Sequence, residues 1–388
     1  MPLQPRFRLS FVSLGLVIAA AATLPFAAAH LRADRPEALK PPSAIEIAKV
    51  IEPIYTVQAG VDGEIFPAFA NYASLQRVRD RKFATVSVRI LNSTTGPLKN
   101  RVSVQIPGWS DQEVQTVEVP ASETRTLTFA PTFLPRMFSN REIAAATAVV
   151  IATDTSGHRV YEETVPVRLR AAEDMYWGQG FKYAPFIAAW VTPHDPAVED
   201  ILSRAKEYMP GRRLPGYEPW KNTAGQVHST YEQAAAIYRA VQESGVSYVK
   251  SSTTFGQHLD VSERVRFPHE SLNRVAANCI DGAVMYAALF ENLGMDPVIV
   301  LVPGHAYVGV REAQRSDNYL YIETAITGRA TFETAVLSAS RGLSRFRPEQ
   351  VLRISIAQAR HGGIYPMPLY ARPVQRAAGS VSAAPVSE

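Results

Sequence analysis

Three residues have the types that nucleophilic catalysis requires, and they follow one another along the chain. They are Cys279, His305 and Glu323. A thiolate attacks carbonyl carbon, an imidazole can take the thiol proton, and a carboxylate can orient that imidazole through its other ring nitrogen. Cys279 is the only cysteine in the 388 residues. The set therefore predicts covalent chemistry on a single thiol.

The residues around Cys279 predict the start of a helix. Asn278 is a good N-cap, because its side-chain oxygen can accept from a free N–H of the first turn. Apolar residues then recur at spacings of three and four until Gly294, which ends the pattern. A thiol in the first turn lies at the positive end of the helix dipole, which favours the thiolate. Asp281 complements the same dipole, and we assign it no catalytic role.

Strands are predicted downstream of this helix. They cover residues 298–302, 306–310 and 319–322, and Pro303-Gly304 separates the first strand from the second. His305 enters the second of these strands, and Glu323 directly follows the third. A helix packed on an antiparallel sheet can bring its N-terminus against adjacent strands, so we expect the three side chains to meet there.

These motifs also carry a resemblance to a known family. The stretches Asn278-Cys279-Ile280-Asp281-Gly282-Ala283, Gly304-His305-Ala306-Tyr307-Val308-Gly309-Val310 and Tyr321-Ile322-Glu323-Thr324 resemble the three motifs of the transglutaminase-like superfamily. That superfamily belongs to the papain-like cysteine-enzyme folds. The resemblance covers roughly residues 180–345.

The resemblance implies a role for each of the three residues. Cys279 would be the nucleophile, His305 the base and Glu323 the orienting acid, on a helix packed against an antiparallel sheet. The chain departs from the family pattern twice, with Ala277 where glycine is usual and Glu323 where aspartate is usual.

The N-terminal half has a different pattern. About seven short stretches between residues 45 and 170 alternate apolar and polar residues, and turn residues separate them. This spacing predicts an immunoglobulin-like β-sandwich. We therefore expect an α+β protein with a β-sandwich domain at 45–170, a transglutaminase-like domain at 176–345 and a partly disordered C-terminal extension at 346–388.

The first residues have the features of a secretory signal. Arg6 and Arg8 precede an uncharged, mostly apolar stretch at 9–24, and Ala27-Ala28-Ala29 offers a cleavage site. We expect a signal peptide at 1–29 and a linker at 30–44, so that the protein is exported to the periplasm or secreted. The alternative is a retained N-terminal membrane anchor, and either arrangement is compatible with association with the cell envelope.

Several classes of function are not indicated. The formal charge is only +4 and the basic residues are scattered, so no nucleic-acid partner is expected. No close group of histidine and acidic residues predicts a metal site, and no phosphate-binding glycine loop predicts a nucleotide cofactor. We expect no cofactor. The sequence leaves the oligomeric state open.

Two functional hypotheses follow. In the first, the thiolate attacks an amide of a protein or peptide substrate, and the resulting thioester is resolved by water or by an amine. Hydrolysis, as in a peptidase or amidase, is the favoured outcome. In the second, the same fold is an inactive scaffold or binding module. A separation above about 5 Å between the Cys279 sulfur and a His305 ring nitrogen would favour the scaffold.

Aromatic residues are the candidates for the wall of a substrate cleft. They are Trp190, Trp220, His269 and Tyr307, although core packing explains aromatic residues equally well.

Overall fold

A computed structural model describes residues 52–76, 83–218, 229–250 and 261–369. All of them belong to one compact unit, Ile51–Glu388. The expected signal peptide at 1–29, the linker at 30–44, Trp220 and the last part of the C-terminal extension lie outside the described residues. The described residues form an α+β structure with several sheets, which confirms the predicted class.

The N-terminal half contains two larger sheets. Their strands are β1 (Ile54–Ala59), β2 (Glu64–Ile65), β3 (Val86–Leu91), β4 (Leu98–Gln105), β5 (Glu113–Val119), β6 (Thr124–Phe129), β7 (Ala144–Thr153) and β8 (Arg159–Leu169). One sheet has the order β1-β3-β6 and the other β2-β8-β7-β4-β5. Every second residue of β3, and of β4 from Asn100 onward, is buried, as the alternating pattern predicts.

Two short helices interrupt this half. They are α1 (Pro67–Leu75) and α2 (Pro135–Phe138), each with a proline in its first turn. The pattern of short strands did not predict α1. Its Phe69 ring lies 4.8 Å from that of Phe83 and 4.6 Å from that of Phe186. Aromatic packing therefore joins α1 to the sheets and to the chain that follows them.

Charged side chains connect the two halves of the chain. The strand β9 (Asp174–Tyr176) pairs with β11 (Ser262–Arg264). Arg141 forms ion pairs with both Glu173 and Glu270, and Arg264 binds Glu173 at 3.0 Å. Burial, followed by the nearby charge of Glu270, raises the pKa of Glu173. Two guanidinium groups thus balance carboxylates that lie mostly away from water.

The C-terminal half is built from helices around an antiparallel sheet. The helices are α3 (Pro196–Ala205), α4 (Thr230–Glu243), α5 (Pro268–Asn273), α6 (Cys279–Asn292), α7 (Phe332–Leu343) and α8 (Ile356–His361). The sheet has the order β15 (Tyr319–Ile322), β14 (His305–Arg311), β13 (Pro297–Val302) and β16 (Leu352–Ser355). A separate parallel pair consists of β10 (Ser247–Tyr248) and β12 (Ala276–Ala277).

The residues of β13 and β14 face two different layers. Alternate residues, such as Ile299 and Val308, join the main core that includes α6. The residues between them, including Val300 and Tyr307, pack with Ala339 of α7 in a second cluster. The sheet is therefore covered on both faces, which explains why β13 is apolar and buried throughout.

The predicted elements around the candidate site agree with the structure. The helix beginning at Cys279 after the N-cap Asn278 and the strand at 319–322 are confirmed. The sheet also extends past residue 345, because Leu352–Ser355 pairs with β13 where the sequence predicts only an extension. Within the described ranges, no helix combines the length and apolarity needed to cross a lipid bilayer.

Candidate active site

The start of α6 is fixed by a reciprocal capping box. The side-chain oxygen of Asn278 accepts from the Asp281 N–H at 2.7 Å, and the Asp281 carboxylate accepts from the Asn278 N–H at 3.2 Å. Two donors of the first turn that have no helical acceptor are thereby satisfied. Cys279 is held in that turn and is partly buried.

Asp281 has a structural environment. Its carboxylate is fully buried, accepts from the Arg266 N–H at 2.8 Å and lies 3.5 Å from the Arg266 guanidinium. Burial raises the pKa of Asp281, and its hydrogen bonds with Arg266 and Asn278 oppose that rise. These contacts stabilise the start of the helix.

The hairpin between β13 and β14 directs His305. Gly304 adopts a φ of +77°, a backbone conformation that most side chains disfavour, and His305 then pairs with Val302. In the next pair of strands, Val308 lies opposite Ile322. Extending this register by one residue puts Tyr307 opposite Glu323. His305 and Glu323 are thus diagonal neighbours on one face of the sheet.

The Glu323 carboxylate binds the His305 ring. Its Oε2 atom lies 2.7 Å from His305 Nε2, and its Oε1 atom accepts from the Ala325 N–H at 2.9 Å. The backbone N–H of Glu323 donates to the carbonyl of Ala335 in α7 at 3.2 Å. Both carboxylate oxygens are therefore engaged, and the acid, which is 9% exposed, has little freedom to turn away.

The other ring nitrogen of His305 is left for the thiol. Nε2 of His305 is engaged by the Glu323 carboxylate, so Nδ1 is the ring nitrogen available to the Cys279 sulfur. The neighbouring Cys279 side chain, and then the bond to Glu323, raise the pKa of His305 to about 10. The imidazole therefore carries a proton at neutral pH. The His305 ring therefore interacts with both of the other predicted residues.

A close approach between α6 and the segment after β15 sets this geometry. The Thr324 hydroxyl donates to the carbonyl of Cys279 at 3.4 Å. A Cβ atom on Gly282 would lie 2.5 Å from Thr324 Oγ1 and 2.9 Å from Thr324 Cβ. Only glycine lets the helix pass so near the residue that follows Glu323. Sequence reasoning did not use Gly282; a glycine in the second turn of a well-capped helix was the available signal.

The candidate cleft-wall residues have different environments. Trp190 is fully buried, and Tyr307 is 5% exposed with its ring against His305. His269 lines a cleft of about 600 Å³ between the two halves of the chain, and its Nδ1 lies 2.7 Å from the buried Asp195. None of the three triad candidates lines that cleft. Aromatic type alone therefore did not distinguish wall residues from core residues.

A second carboxyl with restricted access to water, that of the partly buried Glu263, lies close to Asp281 near the start of α6. Burial and the charge of Asp281 raise the pKa of Glu263 to about 7, although a hydrogen bond from Trp177 opposes this rise.

Across the described part of the chain, no group of three or more histidine, cysteine or acidic side chains could hold a metal ion.

Comparisons with known proteins give no family. No family model matches the chain, and no curated protein sequence matches it. Among solved structures, a FixG-related protein from Vibrio parahaemolyticus is 15% identical over 31% of this chain and 95% of that chain, with a TM-score of 0.18. An exo-chitosanase from Amycolatopsis orientalis is 12% identical over 53% of this chain and 28% of that chain, with a TM-score of 0.20. These similarities are too low to support any conclusion about fold or function.

Proposed function

We propose that this protein is an exported cysteine enzyme of the transglutaminase-like type, which acts on amide bonds of a peptide or protein. Cys279 is the nucleophile, His305 the base and acid, and Glu323 the residue that orients the histidine. The observation that supports this most is the His305 ring, which binds the Glu323 carboxylate at 2.7 Å and whose pKa is raised by the neighbouring Cys279 and by Glu323. The finer fold assignments, an immunoglobulin-like sandwich and a papain-like domain, belong to the same proposal.

The chemistry follows from the charge on His305. An imidazolium beside the sulfur stabilises the thiolate, which attacks the amide carbonyl carbon and forms a tetrahedral intermediate. The backbone N–H of Cys279, in the first turn of α6, is a donor for the oxygen that becomes negative. His305 gives its Nδ1 proton to the departing nitrogen as the carbon–nitrogen bond breaks. The products of this half are a thioester on Cys279 and a free amine.

The second half regenerates the enzyme. His305, now neutral, takes a proton from water as the water oxygen attacks the thioester carbonyl. The carbon–sulfur bond then breaks, which releases a carboxylic acid and restores the thiolate–imidazolium pair. An amine can replace water in this step, and the product is then a new amide. We favour hydrolysis because water is always available.

The glutamate at position 323 is compatible with this mechanism although the family usually has aspartate. Its extra methylene is accommodated, since Oε2 lies 2.7 Å from His305 Nε2. The effect of Cys279 on the pKa of His305 supports an active site over an inactive scaffold. Ala277, the second departure, lies in β12 and pairs with Tyr248.

Two measurements test the proposal. The full chain is incubated with iodoacetamide, whose adduct reports Cys279 alone because no other cysteine is present. An ordinary thiol, with a pKa of about 8.5, reacts roughly 200-fold more slowly at pH 6 than at pH 9. We expect a much smaller loss for the wild type and the full loss for His305→Ala. An ordinary profile in the wild type would refute the thiolate–imidazolium pair.

The second measurement looks for turnover. A peptide library derived from a bacterial proteome is incubated with the full chain in heavy-oxygen water, with and without a labelled primary amine, and analysed by mass spectrometry. Heavy oxygen in new carboxyl termini indicates hydrolysis, and label in new amides indicates transfer. Cys279→Ala is the control. Identical products from the variant, or no product from either protein, would contradict the enzymatic proposal and favour the scaffold.

A further inference from the structure

The ring of Tyr307 occupies a defined place beside the candidate triad. Tyr307 lies two residues after His305 on β14, so both side chains are on the same face of the sheet. Their ring centroids are 4.7 Å apart, and the ring planes are nearly perpendicular at 85°. Tyr307 is also opposite Glu323 when the strand register is extended. Tyr307 therefore contacts His305 from within the same strand, β14.

The far end of the tyrosine is held by α7. A Cβ atom at Gly342 would lie 2.2 Å from the Tyr307 hydroxyl oxygen and 3.0 Å from its Cζ atom. Gly342 lies inside a helix, where glycine lowers stability by about 1 kcal/mol relative to alanine. The glycine thus leaves a notch that the hydroxyl fills, and the phenol ring is fixed between that notch and the imidazole.

We propose that Tyr307, seated in the Gly342 notch, is a positioning residue that holds the His305 ring in the one orientation that serves both partners. The inference depends on the proposed function of the triad. A rotation of the imidazole by half a turn about its Cβ–Cγ bond would put the carbons Cδ2 and Cε1 where Nδ1 and Nε2 now lie. Nδ1 would then leave the sulfur, and Nε2 would leave the carboxylate. A perpendicular aromatic ring that fills the adjacent space opposes this rotation.

The phenol acts through its shape and not through its proton. Burial, followed by the charge of Glu323, raises the pKa of Tyr307 above its ordinary value of 10. The hydroxyl therefore stays neutral at every pH at which the triad is expected to work. Tyr307→Phe removes the hydroxyl but keeps the ring, whereas Tyr307→Leu removes the ring.

The chain offers a matched set of variants for the test. Tyr307→Leu removes the ring beside His305, and Tyr319→Leu makes the same change on the neighbouring strand, where the ring stacks on Tyr321 instead. Gly342→Ala pushes on the Tyr307 hydroxyl while it improves helix propensity. The double variant Gly342→Ala/Tyr307→Phe removes the atom that the new methyl group meets at 2.2 Å. Circular dichroism confirms that each full-length variant is folded.

The readouts are the pH profile of iodoacetamide alkylation and the NMR titration of the His305 ring. We expect Tyr307→Leu and Gly342→Ala to lower the alkylation rate at pH 6, relative to pH 9, by about three- to tenfold. The midpoint pH of the His305 titration should be lower in these two variants than in the wild type. Tyr307→Phe should recover most of the rate, and so should the double variant relative to Gly342→Ala. Tyr319→Leu should follow the wild type.

The outcomes separate the inference from the function on which it depends. An ordinary thiol profile in the wild type contradicts the proposed function. The NMR titration still decides the inference in that case, because a midpoint unchanged by Tyr307→Leu would overturn it. The inference also fails if Tyr319→Leu matches Tyr307→Leu, since the effect would then be a general loosening of the sheet. If the double variant did not recover the alkylation rate, the contact between Gly342 and the Tyr307 hydroxyl would not be what positions the Tyr307 ring.

Discussion

Replacing Gly282 with alanine adds one methyl group where α6 passes the segment that follows Glu323. The new Cβ would lie 2.5 Å from Thr324 Oγ1 and 2.9 Å from Thr324 Cβ. Both distances are too short for real contacts, and Thr324 cannot swing away as a long flexible side chain would. Either the helix or Thr324 must therefore move.

The expected change in stability is the difference of two effects. Alanine improves the helix propensity at this position by about 1 kcal/mol. Inserting a methyl group into a well-packed site destabilises by about 1–3 kcal/mol. Because the clash involves a branched side chain and its Cβ atom, we expect overpacking to exceed the gain. The free energy of unfolding should fall by about 1–2 kcal/mol.

The same displacement should affect the triad. Thr324 adjoins Glu323, so a shift of a few tenths of an ångström lengthens the 2.7 Å contact between Glu323 and His305. We expect a lower rate of Cys279 alkylation at pH 6 together with the loss of stability. Stability is measured by urea denaturation and alkylation by mass spectrometry.

Two companion variants make this test specific. Gly96→Ala is the matched control, because no atom lies within 4 Å of a Cβ at that position. Thr324→Ala combined with Gly282→Ala removes the nearest clashing atom and should recover part of the lost stability. The reasoning would be refuted if Gly282→Ala were as stable as the wild type and kept its alkylation profile.

Three further predictions follow from the charged groups. Folding raises the pKa of His305 from about 6.5 to about 10. The protonated ring therefore stabilises the folded protein fully below pH 6.5, and this stabilisation disappears as the pH rises toward 10. The stability difference between the wild type and Glu323→Gln should accordingly shrink from about 1–2 kcal/mol near pH 6 to almost nothing at pH 10, by denaturation at each pH. The pKa of Glu263 is raised to about 7 by burial, so its charge destabilises the protein above that pH. Glu263→Gln should match the wild type at pH 4 and exceed its stability by about 2–3 kcal/mol at pH 8; equal stabilities at pH 8 would contradict this. Asp281→Ala leaves the Arg266 guanidinium without its buried partner, and its free energy of unfolding, measured by urea denaturation, should fall by about 3 kcal/mol. A decrease below about 1 kcal/mol would show that the ion pair contributes little.

Local signals explain what the sequence predicted. The start of α6 follows from Asn278 and the residues within one turn of it, and the break before His305 follows from Pro303-Gly304. These features act over a few residues, so they can be identified without tertiary structure. The expectation that Cys279, His305 and Glu323 lie close together then required only that one helix and one sheet pack together.

Contacts between distant residues explain what the sequence did not predict. The close approach of Gly282 to Thr324 and the seat of Tyr307 at Gly342 join residues more than thirty positions apart. In the sequence, each appears only as an ordinary glycine in a helix. The short strand β16 has the same limitation, because four residues with mixed polarity specify a strand only through pairing with β13.

The pairing of β16 with β13 also bears on where the chain can be cut. Residues 298–301 receive their hydrogen bonds on one side from Leu352–Ser355. A protein shortened after residue 345 would leave that border of an apolar strand without a partner. Unprotected borders of this kind recruit strands from other molecules. Such a truncated form would be expected to self-associate, even though it retains all three residues of the triad.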